Sequence, residues 1–279
     1  KLSDYKKGAI QGYEEFLKKF PDAKGIPTVL MQLGTLYSTL KTDDPAEQAA
    51  NMKKADEMFS RLNTEHPESE EAKNAYFMRG RTLIELGFRQ EGIEVLKMMF
   101  SDSGKYSASQ MYHAAEELFK SEEYELARQG YELAISMSDK DQAITVPSQL
   151  SLARIMLMQK KFTDALSALE KFISENPSSY YIIEANDMLA QAATMAAFEE
   201  PDRENRVKLF NRSFNSLVLL EKYLTSDKDK AEISIKKGKI LETKIDVERS
   251  YNNQDLVDQY LAEATLHYQR FTASANDQD

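Results

Sequence analysis

Cysteine is absent from this 279-residue sequence, which excludes disulfides, zinc-thiolate sites and thiol catalysis within it and fits an exported protein. Histidine is almost as scarce, at His66, His113 and His267. No two of them stand four apart and no HExxH occurs, so a helical metal site of the metalloprotease kind is not encoded. With 10 Gly and 7 Pro, the chain has neither the paired glycines of a dinucleotide-binding turn nor the composition of a long disordered stretch. A GxxxxGK[ST] phosphate loop is also missing. No apolar run reaches the length of a membrane-spanning helix, and no secretory signal is visible. Asp139-Lys140-Asp141 lacks the glycine and following ligands of a calcium loop and reads as a turn. No catalytic group, cofactor or metal is expected, and the chain reads as a non-enzyme.

Positive charge is in deficit as well. Lys and Arg total 36 against 46 Asp and Glu, a formal net charge of -10. The basic stretches Lys6-Lys7, Lys18-Lys19 and Lys236-Lys237 with Lys239 are interleaved with acids and read as solvated helix faces, so nucleic acid is not an expected partner. Glu68, Glu70 and Glu71 follow Pro67, where acids favour a helix N-terminus.

What the chain has in quantity is one helical pattern, repeated seven times. Small residues stand at Ala9, Ala55, Gly92, Ala127, Ala165, Ser213 and Ala264. Four later come Tyr13, Phe59, Leu96, Tyr131, Leu169, Leu217 and Tyr268, and seven later Phe16, Leu62, Met99, Ala134, Phe172, Leu220 and Phe271. Twelve later stand Pro21, Pro67, Gly104, Asp139, Pro177, Thr225 and Asn276, which end the helix. Spacings of four and seven place side chains on one helical stripe, and the small residue admits a neighbouring helix. A partner helix precedes six of these, with a small residue and an apolar one three later: Gly34 and Tyr37, Gly80 and Leu83, Ala115 and Leu118, Ala153 and Met156, Ala190 and Ala193, Gly238 and Leu241.

These columns resemble the tetratricopeptide repeat, a helix-turn-helix unit with a period near 34. The resemblance departs from the family in having no Trp, and in gaps of 46, 37, 35, 38, 48 and 51 residues between the seven small positions. The extra residues of the three stretched repeats follow the turn signals at Thr42–Pro45, Glu199–Asp202 and Tyr251–Gln254 and are assigned to longer second helices. The resemblance implies an all-α, right-handed superhelical solenoid of antiparallel helix pairs. Its segments are a half repeat or capping helix at 1–24, a stretched pair at 26–67, repeats at 69–104, 107–139 and 145–177, and stretched pairs at 180–226 and 229–275. Residues 1–20 supply only the second helix of a pair, which leaves two readings: the natural chain was cut ahead of them, or a signal segment was removed and Leu2–Phe20 acts as a capping helix.

In this family the first helices line a concave binding face. Placing the repeat register on this chain puts Met31, Gln32, Thr35, Phe77, Met78, Arg81, Tyr112, His113 and Glu116 there, then Leu150, Ser151, Arg154, Asp187, Met188, Gln191, Ile235, Lys236 and Lys239. Of these, Phe77, Met78, Arg81, Tyr112, His113, Glu116, Arg154, Met188, Gln191 and Lys239 are the candidate partner-binding residues. Apolar anchors beside Arg81 and Arg154 suit a protein or peptide with apolar side chains and carboxylates. The alternative is that Phe77, Leu150 and Ile235 are core, and that Arg81 and Arg154 are spent in ion pairs with Glu116 and Glu85. The terminal-carboxylate clamp of chaperone-binding members is unmatched, since Met31, Phe77, Tyr112 and Leu150 take the place of its Lys. Stops at Phe20-Pro21-Asp22, His66-Pro67-Glu68 and Asn176-Pro177-Ser178 look like those of bacterial periplasmic or outer-membrane-associated members. The resulting expectation is a protein-binding scaffold in a bacterial envelope, with cytoplasmic residence the alternative. A structural subunit that self-associates or docks permanently in an envelope complex is the competing reading. An apolar patch in the groove would favour the first, and one on an end helix the second.

Overall fold

The computed structural model describes residues 2–276 and the side chains of 4–272. Among them the regular elements are all helical. In order they are α1 (Leu2–Lys19), α2 (Ile26–Thr39), α3 (Pro45–Glu65), α4 (Glu70–Glu85), α5 (Arg89–Ser101), α6 (Ala108–Lys120) and α7 (Tyr124–Met137). Then come α8 (Gln142–Met158), α9 (Phe162–Glu175), α10 (Ile182–Glu199), α11 (Arg203–Glu221), α12 (Asp227–Ser250) and α13 (Gln254–Asn276). None of them is long and apolar enough to cross a membrane. The Cα packing separates two compact units, 1–148 and 149–279. The periodicity of the sequence contains no such division. It falls inside α8, one residue after Pro147, whose missing N–H leaves the helical ladder a bond short.

Several helices begin where a short polar side chain accepts from an exposed amide. Asp44, with Pro45 following, accepts from Ala46 N; Ser69 accepts from Ala72 N; Asp202 accepts from Asn205 N. Ser107 and Gln110 make a reciprocal capping box at the start of α6. Within four of the pairs the turn is one repeated device. Gly87, Glu122, Lys160 and Asn252 adopt left-handed φ values of 87°, 59°, 59° and 57°. The next residue then reaches back five positions: Phe88 N to Leu83 O, Glu123 N to Leu118 O, Lys161 N to Met156 O and Asn253 N to Glu248 O, at 2.8–3.1 Å. This is the Schellman closure, which satisfies the last carbonyls of the first helix and starts the second at once.

In the first unit, α2/α3, α4/α5 and α6/α7 pack as hairpins. Phe59, Leu62, Leu96, Met99, Tyr131 and Ala134 from the repeated stripe are fully enclosed. The small positions make contact as their size requires. A Cβ added to Gly92 would lie 2.5 Å from the carbonyl oxygen of Gly80, and one added to Gly34 the same distance from the Phe59 ring, so α4 and α5 touch through bare backbone. In the second unit α10/α11 and α12/α13 pack likewise. Phe210, Leu217, Leu220, Ile233 and Ile240 form one cluster, and Leu241, Ile245, Val257 and Tyr260 another.

The second helices of the stretched pairs are indeed long, at 21, 19 and 23 residues for α3, α11 and α13 against 13 for α5 and 14 for α7 and α9. The extra length is not confined to them, however. The first helices α10 and α12 run to 18 and 24 residues, and this extension builds the groove described next. Helix α8 starts at Gln142, ahead of the expected boundary at 145, because Asp141 accepts from Ala143 N and opens the helix there.

Candidate partner-binding groove

The candidate residues fall in both units. In the first unit, Phe77 on α4 meets His113 on α6 with ring centroids 6.1 Å apart. Tyr112 adjoins His113 at 5.4 Å and Tyr131 at 5.8 Å. Met78 is partly buried against the core. The two charged candidates are already engaged. Arg81 donates to Glu85 one turn along its own helix at 2.8 Å, and that bond, opposed by burial, raises its pKa. Glu116 accepts from the Tyr131 hydroxyl. An ion pair for Arg81 is therefore present, with Glu85 in place of Glu116. This face is a braced aromatic surface with little free charge.

In the second unit, the placements of Met188 and Ser151 fail for one reason, and Leu150 follows the alternative reading as core. Met188, Leu150 and Ser151 are buried, at 6%, 1% and 3% exposure, and line no groove. Each lies one residue, or about 100° of helix, from the outward-facing position, so it turns into the core. Arg154 pairs with Glu184 rather than Glu85. Gln191 and Lys239 are exposed, and they stand in a groove between α10 and α12.

The two helices run side by side in the same direction. Asp187 on α10 accepts from Lys236 Nζ on α12 at 2.5 Å and from Gln191 Nε2 at 2.8 Å, which joins the walls midway. Beyond this link lies an open cavity of about 550 Å³. Its floor is Ala190, Leu217 and Ile240, and its walls carry Met195, Phe198 and Lys239. Met195 and Phe198 remain 44% and 58% exposed, although Phe198 rests edge-on against Phe210 at 5.7 Å. Thr194 and Ser213 hydroxyls bond to each other at 2.8 Å and so leave the floor without unmet polar demand. Before the link lies a second cavity of about 480 Å³, floored by Leu220 and Ile233 and rimmed by Tyr180, Tyr181, Asp229 and Glu232. Lys239, Asp229 and Glu232 have no ion-pair partner among the described residues.

Met195 and Phe198 escaped the sequence reading because the repeat register stops at Gln191, where an ordinary first helix ends. The signal was present: Gln191, Met195 and Phe198 stand at i, i+4 and i+7, the spacing that continues one stripe.

A second cluster runs behind the groove, and it overturns the reading of Lys237 as a solvated residue. Lys237 is 2% exposed, bonds Glu221 on α11 and lies 6.0 Å from the Phe214 ring centroid. Lys244, also buried, donates to Asn211 at 2.8 Å and sits 3.9 Å from the Tyr260 ring centroid; desolvation depresses its pKa. Glu248, at 1% exposure, is held by Arg203 and by Asn253 Nδ2 at 3.0 Å. His267 on α13 packs edge-on to Phe214 with Nδ1 unpartnered, and burial, then Lys237 and Arg270, lower its pKa. Lys237 lies four residues from both Ile233 and Leu241, on the buried stripe of α12. Among the described residues no three metal-ligating side chains converge.

Residues 148–179, the second half of α8 with α9 and the turn beyond it, match the family model of the tetratricopeptide repeat. That stretch is a tetratricopeptide repeat. No curated protein sequence matches the chain. Among solved structures, a tetratricopeptide repeat protein from Parabacteroides merdae is 12% identical and superposes with a TM-score of 0.50, covering 95% of this chain and 91% of that one. The MamA protein is 18% identical with a TM-score of 0.48, over 73% of this chain and 98% of its own. The likeness to the Parabacteroides protein is one of fold. The all-α helix pairs of this chain and of that protein are thus built alike.

Proposed function

We propose that the chain is a non-catalytic scaffold whose recognition site is the α10–α12 groove, where it holds a segment of another protein. One observation carries this reading: an open apolar trough on the first-helix side of the second unit, with Met195 and Phe198 exposed on its wall. Exposed large apolar side chains lining a concavity with a few charges at its edge are the usual make-up of a binding hot spot. The partner is a protein rather than a nucleic acid, because the groove offers one unpaired lysine against two unpaired carboxylates and the chain is acidic as a whole. A bacterial-envelope setting is part of the proposal and rests only on the proline-bearing stops; cell fractionation with an antibody to the native protein tests it.

The binding test is selection of a random 12-residue peptide display library on wild type and on Phe198→Asp. Phe198 is more than half exposed, so the variant should fold with unchanged helicity. Enrichment of peptides that bind wild type and lose at least tenfold on Phe198→Asp supports the groove. Peptides indifferent to this change would move recognition elsewhere. Leu261 and Leu266, exposed on the outer side of α13, favour a second reading in which the last helix docks against a fixed neighbour or another copy. A concentration-dependent mass in sedimentation, abolished by Leu266→Glu, would support it.

A further inference from the structure

The groove is not uniform along its length, and its asymmetry describes its ligand. Asp187–Lys236 joins α10 to α12 midway, and the unpaired charges on the two sides of that link have opposite sign. Toward the helix N-termini the lining offers Asp229 and Glu232 beside Tyr180 and Tyr181. The two tyrosines stand edge to face at 5.5 Å, and Tyr180 is 92% exposed, so its ring faces are open to a cation. The remaining carboxylates there are neutralised, Glu184 by Arg154 and Asp187 by Lys236. Toward the C-termini the unpaired charge is Lys239, next to Met195 and Phe198.

We propose that the groove is charge-polarised and takes an extended protein segment bearing a Lys or Arg at one end, apolar side chains in the middle and a carboxylate at the other end. The cation lies over Tyr180 and Tyr181 between Asp229 and Glu232; the apolar side chains fill the trough over Leu217 and Ile240 against Met195 and Phe198; the carboxylate meets Lys239. From Ile183 to Phe198 the wall of α10 is about 22 Å long at 1.5 Å per residue, which seats about seven residues of extended chain. The inference rests on the groove being the recognition site and adds the partner's chemistry and its orientation. Because the charge order of the groove is fixed, a bound segment lies with its cation toward Asp229 and Glu232 and its carboxylate toward Lys239.

The test uses three fluorescein-labelled, end-blocked ten-residue peptides of identical composition, each with two lysines, two glutamates, four apolar residues and two serines. One has its lysines at the N-terminal end and its glutamates at the C-terminal end, one has these blocks exchanged, and one has the charges interleaved. Exposed charge contacts are worth about twofold each, so three of them separate the peptides by about tenfold. The expected result is that one blocked peptide binds wild type about tenfold tighter than the interleaved one, and that 0.5 M salt erases the difference. In Lys239→Glu, which gives both ends of the groove one sign, the preference for a blocked peptide over the interleaved one should disappear. Equal binding of all three peptides, still abolished by Phe198→Asp, overturns the polarity and leaves the groove. Binding of none of them to wild type overturns both.

Discussion

Three of the four Schellman turns are closed by residues that carry a side chain. Lys160, at φ 59° and exposed, accepts a left-handed conformation that costs about 1 kcal/mol relative to glycine. Lys160→Gly should therefore stabilise the protein by up to that amount in urea denaturation, with an unchanged m-value; destabilisation would mean that the lysine side chain has a structural task. His267 makes a different prediction. It is faced by Lys237 from α12, by Glu221 and Phe214 from α11, and by Glu263 and Arg270 from its own helix, and its pKa lies below the ordinary 6.5. A base with a depressed folded pKa binds its proton more readily in the unfolded chain. Stability is then complete above pH 6.5 and falls as the pH drops through 6.5 toward the folded value. His267→Gln should flatten the curve of melting temperature against pH in that window, and an unaltered curve would sink the assignment.

At the scale of the helix, contacts within a pair differ from those between neighbouring pairs. The hairpins α2/α3, α4/α5 and α12/α13 close on a glycine, at Gly34, Gly80 with Gly92, and Gly238, whereas α11 and α12, from neighbouring pairs, are tied by buried ions: Lys237 with Glu221, Lys244 with Asn211, Glu248 with Arg203. Desolvation is the largest influence on Lys244, so the charge there costs more than its partners return. Lys244→Met, which keeps the stem and removes the charge, should leave the melting temperature unchanged or raise it, and Lys244→Ala should lower it by opening a cavity. A fall with methionine would mean that the Asn211 and Tyr260 contacts outweigh desolvation. The helix-pair stripes were legible in the sequence because stripe and stop recur at fixed offsets. The length of α10 was not, since Ala192, Ala193, Ala196 and Ala197 are small on several sides and blur the outward face. The buried ions were hidden for a related reason: a lysine on an apolar stripe looks the same in sequence as one beside it until the register is fixed to within a residue.

Over the whole chain, two units each bury their own core, and stability in helix-pair repeats is a sum of local terms and neighbour contacts. Damage should stay near its origin. Ala127 is fully buried, so Ala127→Leu should overpack α6 against α7 at a cost of about 1–3 kcal/mol. Native-state hydrogen exchange should then lose protection in α6 and α7 and keep it in α10–α13; a uniform loss would indicate one cooperative block. Half of the candidate site was recoverable from the sequence by register alone, namely Gln191 and Lys239 with the Asp187–Lys236 pair. The other half, Met195 and Phe198, required knowing that α10 goes on for two more turns.

Lys237 and Lys244 also matter to anyone who would label or modify this protein. An acylating reagent needs an unprotonated, reachable amine, and both of these point inward, one onto Glu221 and the other onto Asn211 and an aromatic ring. Lys236 and Lys239, their neighbours on the same helix, face solvent. Mass-spectrometric mapping of acylation should find α12 modified at Lys236 and Lys239 and untouched at Lys237 and Lys244. Any reactivity at the inner pair would report that α11 or α13 had lifted away from α12, which makes the pair a built-in tamper seal on these three helices.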